Sequence, residues 1–159
     1  MRPHDLEALL AALESMPGCL EDAAGALPGE RARLPGPDGG FCLVEQAWHL
    51  ADLEREGYAL RIRSLQEEAE PRLPDFDGAG LARERDYRGR SLFEGMARFA
   101  AARAANVAAL RLVPDDAWER GGTQEGVGPV ALADLPRMMV EHDRGHREEI
   151  DRLTKAHRG

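Results

Sequence analysis

His142 and His146 lie four residues apart in the run ADLPRMMVEHDRGHREEIDRL near the C-terminus. On a helix that spacing stacks both imidazoles on one face. The same face carries Leu132, Leu135, Met138, Met139, Ile150 and Leu153, so the two rings interrupt a core stripe. A buried imidazole has two ring nitrogens to satisfy and no water to satisfy them. Hydrogen bonds to a carbonyl or carboxylate are one answer. A divalent ion is the other, and i,i+4 histidines on one helical face are a ready two-point chelate for it. His49 has the same character. It sits mid-helix in VEQAWHLADLE with Cys42, Leu53 and Leu60 on its side, and Val44, Ala47, Trp48, Ala51, Tyr58, Ile62 and Leu65 on the opposite face. A helix with two apolar faces is a central one, so His49 can face the C-terminal helix. His49, His142 and His146 are therefore expected to hold one divalent metal ion. Three neutral imidazoles leave at least one coordination position open, which marks a reactive site rather than a structural one. Imidazole ligation suits zinc, nickel, iron and copper alike.

Rival motifs are weaker. HDRGH differs from the HExxH of zinc proteases in having Asp143 at the glutamate position, and no further ligand follows. A di-iron bundle needs two Glu-x-x-His repeats, and the chain has none. GGTQEGVG lacks the GK[ST] of a phosphate loop and reads as a connection. Of the nearby acids, Asp143, Glu141 and Asp52 either orient ligand N–H groups or form a solvated face with Arg137, Arg144 and Arg147. Cys42 is two turns, about 10 Å, from His49, too far to share the ion, and reads as a small buried residue. His4 and His157 lie near the termini and read as solvated.

The elements that must position these residues are helical. No strand-period alternation of useful length and no internal repeat appears. Leu6, Leu9, Leu10, Leu13, Met16, Leu20 and Leu27 give a first helix that Pro17-Gly18 kinks or splits in two. RARLPGPDGG, residues 31–40, is a loop. A long second helix runs from about Phe41 to Glu68 and ends before Pro71 and Pro74. Residues 70–90 form an irregular crossover with room for one short helical turn. Ser91 and Glu94 then read as a capping box opening a third helix, which reaches Val113 and stops at Pro114. Residues 121–129 are a further loop before a fourth helix that ends near Lys155. Pro136 either lies in the first turn of that helix, with Asp134 as N-cap, or bends it. Four long helices with a core stripe each predict an all-α four-helix bundle.

At 159 residues the chain is expected to form a single domain over 1–159. A formal net charge of −8 repels a phosphate backbone, and no Lys/Arg stripe relieves it, so nucleic acid is not an expected partner. No apolar run is long enough for a membrane span, and MRPHDLEALL enters an amphipathic pattern without a signal-peptide h-region. Two cysteines, Cys19 and Cys42, with no CxxC fit a reducing cytoplasm.

EQAWHLADLEREGY with His49, and MMVEHDRGHREEI with His142 and His146, resemble the DinB family. DYRGRSLFEGMARFAAAR and WERGGTQEGVG also fit its layout, so the resemblance covers nearly the whole chain. It implies an up-down-down-up bundle with the three histidines at one end of the core, binding nickel, zinc or iron. Many members are dimers, which makes a homodimer the expectation here. The face of Val44, Trp48, Tyr58, Ile62 and Leu65 either packs on a second subunit or is covered by the first and third helices. Some relatives use their metal to activate a low-molecular-weight thiol for transfer or isomerisation, and others have no established activity. Two functions follow from the resemblance: a metal-dependent thiol S-transferase or related thiol-using enzyme, and a non-catalytic metal-binding stress-response protein. A purely structural bundle with hydrogen-bonded histidines is the third reading. The crossover 70–90 and the 121–129 loop are placed to cover the open position. On them Tyr87, Arg88, Arg90 and Gln124 either grip the body of a thiol or are solvated loop residues.

Overall fold

Helix breakers set the joints. In the computed structural model, which describes residues 1–159, the first helix is split into α1 (Pro3–Glu14) and α2 (Met16–Ala26). Pro17 has no N–H to give to the preceding turn but fits the first turn of a new helix, so the break falls at Ser15. The second helix starts at α3 (Leu43–Asp52), where Cys42 takes the N-cap position and its own N–H is accepted by Glu45 at 3.1 Å. It continues through a π-helical turn (Leu53–Tyr58) into α4 (Ala59–Glu67). A π turn adds a residue to the winding and so rotates everything beyond it relative to a regular helix. All of α3 except Glu45 is buried, as expected of a central helix.

The crossover is more ordered than the sequence suggested. It contains β1 (Arg72–Leu73), α5 (Gly78–Glu84) with Asp77 accepting the Gly80 N–H as its cap, and a 3-10 turn over Tyr87–Gly89. α6 (Leu92–Arg111) begins with half of the expected capping box. Ser91 Oγ accepts from the Glu94 N–H at 3.2 Å, but the Glu94 carboxylate turns outward to Arg98. Residues 121–129 are not a plain loop. They build the hairpin of β2 (Gly121–Gln124) and β3 (Gly128–Ala131), with β1 paired parallel to β2. Strands this short, rich in Gly and Pro, carry no alternation to read. Gly122 is required there, because a Cβ would lie 2.4 Å from the Pro71 carbonyl oxygen of the adjoining chain. α7 (Leu135–His157) has Pro136 in its first turn and no bend. Asp134 reaches back instead to accept the Ala131 N–H at 2.9 Å, closing the 3-10 turn that precedes α7.

Contacts along the helices fix their directions. Trp48 donates to the Ser91 carbonyl at the start of α6, and Glu54 meets Arg103 halfway along it, so α3–α4 and α6 run parallel. His146 meets Gln46 while His142 faces Tyr58, so α7 runs against α3–α4. α1 runs with α7, since Arg103 ties the Leu13 carbonyl to Asp143 and Arg147 reaches Ser15. The protein is an up-down-down-up four-helix bundle. Its core forms two apolar clusters, one around Trp48, Phe99 and Ile150, the other around Leu13, Ile62, Leu110 and Leu135. Between them runs a polar belt: His49, Glu54, Arg103, Asn106, Asp143 and His146. The histidines thus sit between two packed layers, not at one end of the core, because the continuous α3–α4 helix and α7 both extend well past them. The face of Val44, Trp48, Tyr58, Ile62 and Leu65 is buried within the chain, none of it more than 5% exposed, and offers nothing to a second subunit. No helix is long and apolar enough to cross a membrane.

Candidate metal centre

α3 and α7 cross so that His49, His142 and His146 come together, with His49 and His146 buried and His142 half-buried. The Nε2 atoms of His142 and His146 are 3.1 Å apart. The His49 ring centroid lies 4.9 Å from that of His146 and 5.9 Å from that of His142. One ring nitrogen from each falls within 4.8 Å of the others. Two nitrogens bound to one ion at about 2.0–2.1 Å stand roughly 2.9–3.4 Å apart, depending on the coordination angle. The His142–His146 pair already has that spacing, and His49 needs a small inward movement.

Hydrogen bonding sets one tautomer. Glu149 can only accept, so the Gln46 amide must point its Nε2 toward Oε2 of Glu149, at 2.6 Å. That leaves Gln46 Oε1 facing Nδ1 of His146 at 2.7 Å, and Nδ1 must therefore carry the proton. His146 Nε2 is left as a bare lone pair aimed at His142. The Nδ1 atoms of His49 and His142 are buried without any partner. The directed lone pair of His146 Nε2 fits a group that binds electron pairs, and the all-nitrogen donor set of the three clustered rings fits a divalent ion.

Packing holds His49 where hydrogen bonds do not. Phe41 and Phe76 flank its ring at 5.4 and 6.0 Å. α5 begins directly on it, and only glycine fits, since a Cβ on Gly78 would lie 2.5 Å from His49 Cε1. Burial, reinforced by the neighbouring His146, lowers the His49 imidazole to about 4, and burial lowers His142 to about 3. The adjacent His146 ring holds the Glu149 carboxyl at about 2. His49 and His142 are thus neutral at ordinary pH, the form in which an imidazole can bind a metal.

These shifts predict how the metal-free protein responds to acid. The unfolded chain takes up protons at these rings near the ordinary value of 6.5, the folded chain only near 3–4. Stability is therefore complete above pH 6.5 and is lost as pH falls from there toward 4, by several kcal/mol in total. Urea midpoints measured across that window on chelator-treated protein check this. A flat profile contradicts the buried, unpartnered placement of His49 and His142.

None of the three acids singled out from the sequence bonds to a ligand imidazole. Asp52 is taken by the Tyr87 hydroxyl and by Arg85 at 2.7 Å, and Glu141 pairs on the surface with Arg144. Asp143 turns away from the histidines into a buried pair with Arg103 at 2.7 and 2.9 Å. The residues that do serve the site are Gln46 and Glu149, each three residues from a ligand on its own helix. That one-turn offset was the available signal. Replacing Gln46 with Leu should weaken metal binding about 10- to 100-fold by releasing the His146 tautomer, as outer-shell losses generally do. Competition with a chromogenic chelator reads this, and unchanged affinity would refute the role. Cys42 is buried and away from the triad, as expected. His4 is solvated, while His157 bonds to the Pro35 carbonyl at 2.8 Å.

A cleft of about 260 Å³ reaches His49 and His142 from the side where the crossover and the hairpin meet. Of the four proposed gripping residues only Gln124 lines it. Tyr87 is buried against Asp52, Arg88 pairs with Glu45, and Arg90 lies over Trp48 and bonds to the Arg85 carbonyl.

Known proteins agree with this architecture. The structure superposes on that of YfiT from Bacillus subtilis, described as a probable metal-dependent hydrolase with an unusual four-helix bundle topology. The TM-score is 0.88 at 20% identity, over 98% of this chain and 89% of that one. No curated protein matches significantly. The family model of the DinB superfamily matches residues 8–150. With nearly the whole bundle inside that match, the chain belongs to the DinB superfamily.

Proposed function

We propose that the chain is a mononuclear metal protein that presents a low-molecular-weight thiol for reaction, as a metal-dependent thiol S-transferase or a related thiol-using enzyme. The observation that carries this reading is a ligand set of three imidazoles with no carboxylate among them, beside an open cleft. Such a set leaves a zinc, nickel or iron ion its full 2+ charge, which lowers the pKa of a thiol or water bound to it. The chain's own residues prepare that position. Gln46 holds the proton on His146 Nδ1, Phe41 and Phe76 pack around His49, and Gly78 lets the start of α5 approach its ring closely. Tyr58, edge-on to His142, has its phenol pushed well above the usual range by burial, so it stays protonated in the wall of the cleft. The two free cysteines suit the reducing cytoplasm in which a free thiol co-substrate is available.

The description of YfiT as a probable metal-dependent hydrolase supports a second reading, in which water takes the thiol's place. A stress-response protein that binds metal without turnover is the third. Cobalt substitution separates them. Under the thiol reading, adding candidate thiols to the cobalt protein produces a near-ultraviolet charge-transfer band and alters the visible d–d bands. Spectra indifferent to every thiol, with hydrolysis of activated esters or amides, favour water. Indifference with no turnover, and a metal-induced rise in melting temperature alone, favours the non-catalytic protein.

A further inference from the structure

The cleft that reaches His49 and His142 has a second polar end. Arg61, from α4, lines it at 6% exposure and Gln124, from β2, at 7%. A guanidinium carries five N–H donors, and Arg61 gives one hydrogen bond, to the Pro74 carbonyl at 3.2 Å. Its Nε and the Gln124 Oε1 are buried without a partner. A buried cation lacking an anion is more costly than a buried amide lacking one, so the unmatched group is conspicuous in a chain that pairs Arg85, Arg103 and Arg111 with carboxylates. The acid nearest in the wall does not match it. Asp75 is exposed, and its Oδ1 already accepts the Phe76 N–H at 2.9 Å. Arg61 lies instead over the Tyr58 ring, with its guanidinium carbon 5.5 Å from the centroid, and the same ring meets His142 edge-on at 6.1 Å. The guanidinium and the metal ligands therefore share one small cleft with a single aromatic ring between them.

We propose that Arg61, with Gln124 beside it, is a subsite for a substrate carboxylate. The molecule offered to the metal centre is then a small organic acid whose far end carries the metal-seeking group. A carboxylate matches two parallel guanidinium N–H groups and discharges the one unpaired buried cation. The Gln124 amide supplies a further donor once its orientation turns to suit the ligand. A cavity of about 260 Å³ holds a compact ligand, not a long chain. The subsite rests on the thiol reading only for the identity of the metal-seeking end.

The test uses full-length cobalt-loaded protein and a series of ω-mercaptocarboxylates of increasing length, each paired with its uncharged carboxamide. Calorimetry gives affinity and the charge-transfer band reports sulfur ligation. At the best length the carboxylate should bind about tenfold or more tightly than its amide. Arg61→Met, which keeps an unbranched apolar side chain but removes the guanidinium, should erase that preference while leaving cobalt content unchanged, and Gln124→Leu should reduce it. Equal binding of acid and amide by the wild type, binding of neither, or a preference that survives in Arg61→Met overturns the subsite. Absence of the sulfur band with the acid preference intact overturns the thiol reading and leaves the subsite standing. Should Arg61→Met lose its cobalt, Arg61→Lys decides by whether a retained charge without the planar fork restores the preference; no restoration there, together with an intact preference in Gln124→Leu, also overturns the subsite.

Discussion

Arg103→Met should cost about 3–5 kcal/mol of stability, a large share of the roughly 5–15 kcal/mol that holds a domain of this size together. Arg103 is 1% exposed and lies where α1, the π turn, α6 and α7 meet. Its guanidinium bonds both oxygens of Asp143, Oε1 of Glu54 and the Leu13 carbonyl, each at 2.7–2.9 Å, and lies 4.9 Å from the Phe99 ring centroid. Asn106 completes the shell of Glu54 through its carboxylate and its backbone carbonyl. Removing the cation leaves two buried carboxylates facing each other with no counter-charge. The loss is then dominated by their stranding and not by the worth of the contacts themselves. Chemical denaturation measures it directly. Neutralising both acids in the same background, as Glu54→Gln/Asp143→Asn, should return part of the stability. A loss below about 1 kcal/mol in Arg103→Met would show that water reaches the belt and that the pair is not buried as described.

That network marks where the sequence stops being legible. The three histidines could be read because each breaks an apolar stripe on its own helix, and a break within one stripe is a local signal. Glu54, Arg103 and Asp143 pair across three helices separated by 40 or more residues, and along its own helix each looks like an ordinary surface charge. The same ambiguity leaves Asp52, Glu141 and Asp143 open between orienting a ligand and forming a solvated face, and only Glu141 is on the surface. The π turn at Leu53–Tyr58 compounds it, since a regular winding assigns Glu54 and Tyr58 to faces they do not occupy. The bundle, its breaks at Pro17 and before Pro114, and the burial of α3 followed from apolar spacing and breakers. The hairpin at 121–131 did not, because its two short strands gain their order from β1 and from the close approach that Gly122 permits, not from alternation.

Replacing His142 and His146 together with Leu should remove metal binding almost completely while changing the stability of the metal-free protein by no more than about 1–3 kcal/mol. Each imidazole supplies a third of the protein ligands, so losing two leaves His49 alone on the ion. In the metal-free chain the same two rings interrupt an apolar stripe; leucine relieves the orphaned His142 nitrogen but takes the His146 donor from the buried Gln46 oxygen, so the two effects oppose each other. The metal-dependent gain is what disappears. A ligand at about 1,000 times its Kd contributes about 4 kcal/mol to folding, and none of that should remain in the variant. Melting with and without added zinc, in both proteins, reads the two quantities separately. A metal-free variant destabilised by well over about 3 kcal/mol would instead point to histidines that hold the core by more than the one bond to Gln46.

Elemental analysis of the untagged protein, dialysed after exposure to zinc, nickel and iron in turn, tests the central claim most directly. The histidine cluster predicts one divalent ion per chain in the wild type, and none in His142→Leu/His146→Leu prepared the same way. A wild-type chain that retains no ion, or a variant that retains a full one, contradicts the assignment of His49, His142 and His146 as the metal centre.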